Sequence, residues 1–211
     1  KLDGSPAPNG GLTIDEHGTP AGSMSGAHEL DESLSASVLL ENLACKATAA
    51  LALEHLLGAS GLAAEDVPYV IGCGEEAVGD RYQRGGGNLA KAIAEQAGCV
   101  NASGSDVKAF CCGPVHALVV AGSLVASGVY PCVVVVAGGS LAKLGMKFSG
   151  ALRHGVPVLE DVLAGFAVLV APPGDGVPEL RLDAVGRHRV GSGSAQQAVL
   201  EDLVVEPLER L

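Results

Sequence analysis

The stretch "PCVVVVAGG", residues 131–139, puts four valines in a row with no polar residue among them. A strand with one wet face alternates apolar and polar side chains. A run without alternation belongs instead to a strand covered on both faces, the setting of a mostly parallel sheet with helices above and below. The neighbouring segments agree. "VPYVIGCG" reads as a second buried strand, and "DESLSASVLLENLACKATAALALEHLLGASG" as one long helix that Asp31 or Ser33 would cap and Gly58 or Gly61 would end. "NLAKAIAEQAG" predicts a helix capped by Asn88 and stopped at Gly98, "CVNASGSDV" the approach to a short strand, and a further helix runs from about Cys112 to Ser127. "FAVLVAPP" and "ELRLDAVGRHRV" add two strands joined by the "PPGDGVP" turn. This order predicts an α/β layered fold for residues 31–211. Residues 1–30 read as a linker or a small β-hairpin flap turning at His17 and Gly18.

The filling of such a core is unusual here. The chain is 48% hydrophobic but only 3% aromatic, so Ala, Val, Leu and Gly must do the packing at close range. Acidic residues outnumber basic ones 24 to 13, and the resulting charge of −11 repels polyanions, which argues against nucleic acid as a partner. The longest aliphatic runs fall short of the ~20 residues of a membrane span, and no leader pattern opens the chain. The sequence therefore reads as soluble and cytoplasmic. The six cysteines lie mostly in apolar stretches, with neither a CxxC pair nor a histidine at ligand spacing. Reduced thiols are expected, with no metal and no cofactor.

"GSDVKAFCCGPVHALVVAGSLVASG", residues 104–128, carries the chemistry. It leads from a strand straight into Cys111 at the expected first turn of a helix. There, unpaired N–H groups and the positive end of the helix dipole favour a thiolate and could hold an oxyanion. A thiol so placed is suited to accept an acyl group as a thioester. Cys112 is read as packing, as are Cys45, Cys73, Cys99 and Cys132, because reduced cysteine is among the most buried residue types. His116 falls about 140° round the helix from Cys111 and about 40° from Cys112, so it is poorly aimed at the better nucleophile. The helix is apolar all round (Val115, Leu118, Val119, Leu124, Val125), which places it inside the protein, with Gly113, Ala117, Ala121 and Gly122 permitting close approach. A second candidate is the run Arg84, Gly85, Gly86, Gly87 and Asn88, where a glycine loop enters a helix. It serves as an anion loop or, more simply, as a turn at an interface. Glu75 and Glu76 after their strand read as salt-bridge partners, and Lys143, Lys147, Arg153 and His154 as a solvated surface.

With "DVKAFCCG" and the "HALVVAGSLVASGVYPCVVVVAGG" that follows, the chain resembles the thiolase superfamily. The resemblance is strongest to condensing enzymes of the ketoacyl synthase III type, whose nucleophile follows a "DVxxxC" approach; the matching residue is Cys111. "HELDESLSASVLLENLACKA", "EEAVGDRYQRGGGNLAKAIAEQAG", "NASGSDVKAFC", "VVVVAGGSLAKLGM" and "VLEDVLAGFAVL" are similar to the component C beta subunits of glycine, sarcosine and betaine reductase complexes. The resemblance implies the N-terminal half of a thiolase-like fold, a buried nucleophile helix on a mixed, mostly parallel sheet, with a C-terminal half that this chain lacks. That half would supply the histidine and asparagine partners of the thiol. It also implies acyl transfer through a cysteine thioester toward acetyl phosphate, from an acetyl thioester or carboxymethyl-derived substrate and phosphate. The partners it implies are a component C alpha subunit and the selenoprotein component A, in a homodimer or larger assembly. Two other roles stay open: a scaffold that docks the alpha subunit without chemistry of its own, and a carbon–carbon condensing enzyme.

Overall fold

The computed structural model describes residues 3–5, 7–8, 11–27, 35–74, 88–139, 153–156 and 163–211. Its centre is a four-stranded sheet of order β4-β3-β5-β6. The strands are β3 (Tyr69–Gly74), β4 (Ser103–Lys108), β5 (Val133–Ala137) and β6 (Phe166–Val170). β3 pairs in parallel with both β4 and β5, and β6 returns antiparallel to β5. β1 (Leu12–Glu16) and β2 (Thr19–Met24) form a separate antiparallel hairpin with an irregular register between Ile14 and Asp15.

The valine run lies where its lack of alternation requires. Val133, Val134, Val135 and Val136 are all completely buried in β5, between β3 and β6. Val134 and Val136 face α1 (Ala36–Ser60) and α2 (Leu89–Gln96), joining Ala49, Leu53, Val70, Ala90 and Ile93. Val133 and Val135 face the other way, onto α3 (Gly113–Ala126), joining Ile71, Cys73, Ala117 and Ala121. Each fully buried valine contributes roughly 1.5–2 kcal/mol of transfer free energy, so β5 anchors both layers at once. The result is an α/β fold with helices on both faces of a mixed, mostly parallel sheet.

Helix α1 ends as its sequence predicts. Gly61 takes the left-handed conformation at φ 70° and its N–H reaches the Leu57 carbonyl, a conformation that costs glycine nothing. The start differs: Ser35 is the N-cap residue, and the expected caps Asp31 and Ser33 lie outside the described residues. At 25 residues this helix is long and apolar enough to cross a membrane by length and composition, which a search for unbroken aliphatic runs overlooks. Its Ala49, Ala50, Leu53 and Leu57 face is instead packed into the core. Thr48 pins the helix to the exit of β5: its hydroxyl donates to Ala44 O at 2.7 Å and accepts from Gly139 N at 3.2 Å. Thr48→Val keeps the shape and removes both bonds, leaving the Gly139 N–H unpaired. It is expected to cost about 1–3 kcal/mol in a denaturant titration, largely restored by Thr48→Ser.

"ELRLDAVGRHRV" forms no strand. It folds as short 3₁₀ turns at Leu182–Ala184 and Val190–Ser192, and its polar side chains are taken by partners outside any sheet. Arg181 pairs with Asp183 at 2.7 Å, and the end of the segment is gathered by Asp202. That carboxylate is 3% exposed and lies in the π-helical turn Glu201–Val205 that follows α4 (Gln196–Leu200). It accepts from Arg189 N at 3.4 Å and the Arg189 guanidinium at 3.2 Å, and lies 3.0 Å from His188 Nδ1. Burial alone would raise its pKa, but the bonds from Arg189 and His188 together hold it below the usual carboxylate range. A depressed folded value means that the carboxylate contributes its full stability above the ordinary ~3.9 and loses it as pH falls through the lower folded value. Hydrogen exchange in α4 is therefore expected to accelerate on acidification below about pH 4 in the wild type. In Asp202→Asn it should already be fast at neutral pH and respond less to acid.

Candidate active site

The parallel strands β3, β4 and β5 end on one side of the sheet, the side on which α/β proteins place their ligands. β4 gives way at Lys108, and Ala109 N still reaches Gly74 O at 3.3 Å. Phe110 then takes φ +49°, a left-handed conformation that costs a bulky residue of order 1 kcal/mol and that clusters at functional turns. One 3₁₀ turn, Phe110–Cys112, follows before α3 starts at Gly113. Gly113 is required by contact: a Cβ there would stand 2.8 Å from Gly74 O and 3.1 Å from Gly74 N. The start of α3 thus touches the end of β3 backbone to backbone, and this contact sets where Cys111 emerges.

Cys111 is exposed on that turn, and α3 begins at Gly113, one residue after the start expected at about Cys112. Two nearby donors are already engaged, because Cys112 N bonds Ala109 O at 3.0 Å and Gly113 N bonds Phe110 O. Pro114 follows at the start of α3 and has no N–H. The turn therefore offers fewer unpaired N–H groups than a helix beginning at the cysteine would.

The other site expectations divide. Cys112, read as packing, is exposed, as is His116. Among the described residues helix α3 is buried along Gly113, Ala117, Ala121 and Gly122, the last against Leu180 and Leu182, while Val115 on the other face is 62% exposed. It is apolar all round, yet in the described residues it lies on the sheet rather than inside the protein. Cys73 and Cys99 are buried; Cys45 and Cys132 are half-buried. Burial pushes the Cys73 thiol up to about 11, against the opposing pull of Lys108 and with a smaller push from Asp106, so it is a protonated packing group at neutral pH. Burial likewise raises Cys99, and raises Cys132 with help from Asp66. No cluster of three or more metal-ligating side chains occurs among the described residues.

Of the glycine-loop candidates, Arg84, Gly85, Gly86 and Gly87 lie outside the described residues, as do Glu75, Glu76, Lys143 and Lys147. Asn88 caps α2 as expected, accepting from Lys91 N at 2.9 Å and donating to Gly104 O at 2.8 Å. The remaining N-terminal groups of α2 are filled from within. Asp106 on β4 accepts from Leu89 N at 2.8 Å and Ala90 N at 3.3 Å, the place an exogenous anion would take. This role of Asp106 was not evident from the sequence. Its only local signal is a carboxylate in register with Gly72, where a Cβ would collide with the Asp106 carboxylate. Burial raises the Asp106 pKa, partly offset by Lys108 and the two backbone N–H groups.

No family model matches the chain. Among solved structures, the priming β-ketosynthase of the R1128 polyketide pathway is 27% identical with a TM-score of 0.46, covering 61% of this chain and 35% of its own. Xanthomonas campestri OleA with cerulenin bound is 15% identical with a TM-score of 0.44, over 60% of this chain and 40% of its own. The chain is also 52% identical, over 194 residues and 92% of its length, to the glycine/sarcosine/betaine reductase complex component C subunit beta of Peptoclostridium acidaminophilum. It spans 38% of that relative's length. The α/β chain that presents Cys111 at a strand–turn–helix junction is a homologue of the component C beta subunit of glycine/sarcosine/betaine reductase complexes.

Proposed function

We propose that this chain contributes the acyl-accepting thiol of a component C beta subunit, as the N-terminal half of a thiolase-like fold. The observation that carries the reading is the exposed Cys111 on the turn between β4 and α3, in a chain 52% identical to such a subunit. In the first step the Cys111 sulfur attacks the carbonyl carbon of an acetyl donor. A carbon–sulfur bond forms, and the donor's leaving group departs with its electron pair and takes up a proton. In the second step a phosphate oxygen attacks the thioester carbonyl, the carbon–sulfur bond breaks, and the thiolate is regenerated as acetyl phosphate leaves. The protein works in the cytoplasm, in an assembly of homodimer size or larger with a component C alpha subunit. We assign the supply of that acetyl donor to the selenoprotein component A, and residues beyond this chain supply the base that activates the thiol.

The test is to offer an isotopically labelled acetyl thioester to the full-length protein with its alpha subunit and map the label by peptide mass spectrometry. A labelled peptide containing Cys111 is expected. Label confined to other cysteines of this subunit, or to the alpha subunit, overturns the reading.

A further inference from the structure

His188 meets an acceptor at each end of its ring. Nε2 lies 2.7 Å from Gly193 O and Nδ1 lies 3.0 Å from Asp202 Oδ2. A carbonyl oxygen only accepts, so Nε2 must carry a hydrogen. Asp202 is ionised near neutral pH, because against the push of burial the bonds from Arg189 and His188 hold it below the usual carboxylate range, and an ionised carboxylate also only accepts. Both ring nitrogens therefore donate, and only the imidazolium has two N–H groups. A neutral ring would keep its single hydrogen on the carboxylate, the stronger acceptor, and turn a lone pair on Gly193 O.

The bond to Gly193 O spans the 3₁₀ turn Val190–Ser192, whose other closure is Ser192 N on Arg189 O at 2.9 Å. Val190 at its tip is fully exposed, so no apolar burial holds the turn and its polar bonds decide whether it stays closed. The segment leading into it joins two helices. Leu180 and Leu182 lie against Gly122 of α3, and Gly186 rests on the π-helical turn, where a Cβ would stand 2.9 Å from Asp202 O. The charged groups that face His188 are Asp202 and, across its other oxygen, the Arg189 guanidinium at 3.2 Å. Arg181 is engaged by Asp183 and Arg210 by Val185 O. Among these residue types, histidine is the one whose charge ordinarily changes near neutral pH.

We infer that His188 is a proton-operated clasp: its imidazolium closes the Val190–Ser192 turn against the Asp202 carboxylate, and loss of the proton opens the turn at Gly193. The order it provides is present while the ring is charged and is lost as pH rises through its titration. The clasp stands whether or not Cys111 carries an acyl group.

The test is hydrogen–deuterium exchange, read by mass spectrometry on the full-length protein at about pH 6 and about pH 9 and corrected for the intrinsic rate of base-catalysed exchange. In the wild type, protection across residues 188–200 is expected to fall roughly 10-fold at the higher pH, as the loss of one hydrogen bond from a charged donor requires, while β5 keeps its protection. His188→Gln is neutral throughout and should show the low protection at both pH values. His188→Arg is charged throughout, with donors in two directions, and should keep part of the protection at the higher pH. Equal wild-type protection at the two pH values overturns the inference, and so does a His188→Gln protein that retains the wild-type pH dependence. The wild-type comparison uses no variant, so it decides the matter even where a substitution impairs folding.

Discussion

Cys111→Ala in the full-length subunit, assembled with its alpha subunit, is expected to lower acetyl phosphate formation by at least about 10³-fold, because covalent catalysis has no substitute once its nucleophile is removed. Stability should barely change: the side chain is exposed on its turn, and exposed substitutions away from caps and cores usually fall within about 0.5 kcal/mol. Cys111→Ser is expected to be nearly as inactive, since a base suited to a thiol proton activates the far less acidic hydroxyl poorly. The neighbour provides the control. Cys112→Ala removes a second exposed thiol from the same turn and should leave more than about half of the activity. The checks are initial rates of acetyl phosphate production and thermal unfolding of each variant. Equal rates for wild type and Cys111→Ala would assign the thioester to another subunit and leave this chain a scaffold.

Gly138→Ala is expected to destabilise the protein by more than about 3 kcal/mol, the range reserved for severe overpacking of a site that cannot relax. A Cβ at this position would lie inside the van der Waals envelope of the Cys45 carbonyl oxygen and 2.7 Å from Thr48 Oγ1. The obstacle is helix backbone rather than a side chain that turns aside. The exit of β5 rests directly on α1, which is how a core with so few aromatic residues closes its helix–sheet distance. Gly58 lies in the same helix, and a Cβ there meets nothing within 4 Å. Gly58→Ala is accordingly expected to stabilise by up to about 1 kcal/mol through helix propensity. Urea titrations of the two variants should move the midpoint in opposite directions. A Gly138→Ala protein as stable as wild type would mean that α1 does not sit against the β5 exit.

The parts of the molecule legible in advance are those whose cause is local. The Val133–Val136 run announces a strand covered on both sides, Asn88 its helix start, and Gly61 a helix end. The passage from "SDV" into a small-residue helix announces the turn at Cys111. Each depends on residues within about one turn of one another. The misreadings share the opposite property. "ELRLDAVGRHRV" carries alternation enough for a strand, but Arg189 and His188 find the Asp202 carboxylate thirteen and fourteen positions away. Cys112 lies in an apolar stretch, and nothing near it tells which face of α3 the sheet will cover.

Sequence by itself therefore determined the layered α/β class, the order of strands and helices from α1 to β6, and the thiol placed at the junction of β4 and α3. Only the tertiary structure decided that β6 returns antiparallel, that Asp106 fills the start of α2, and that among the described residues one face of α3 stays exposed. The physical reason is one of range. Helix caps, β-branched runs and turn residues act through neighbours in the chain, whereas the partner of a carboxylate or an ammonium is whatever the fold brings within about 3 Å.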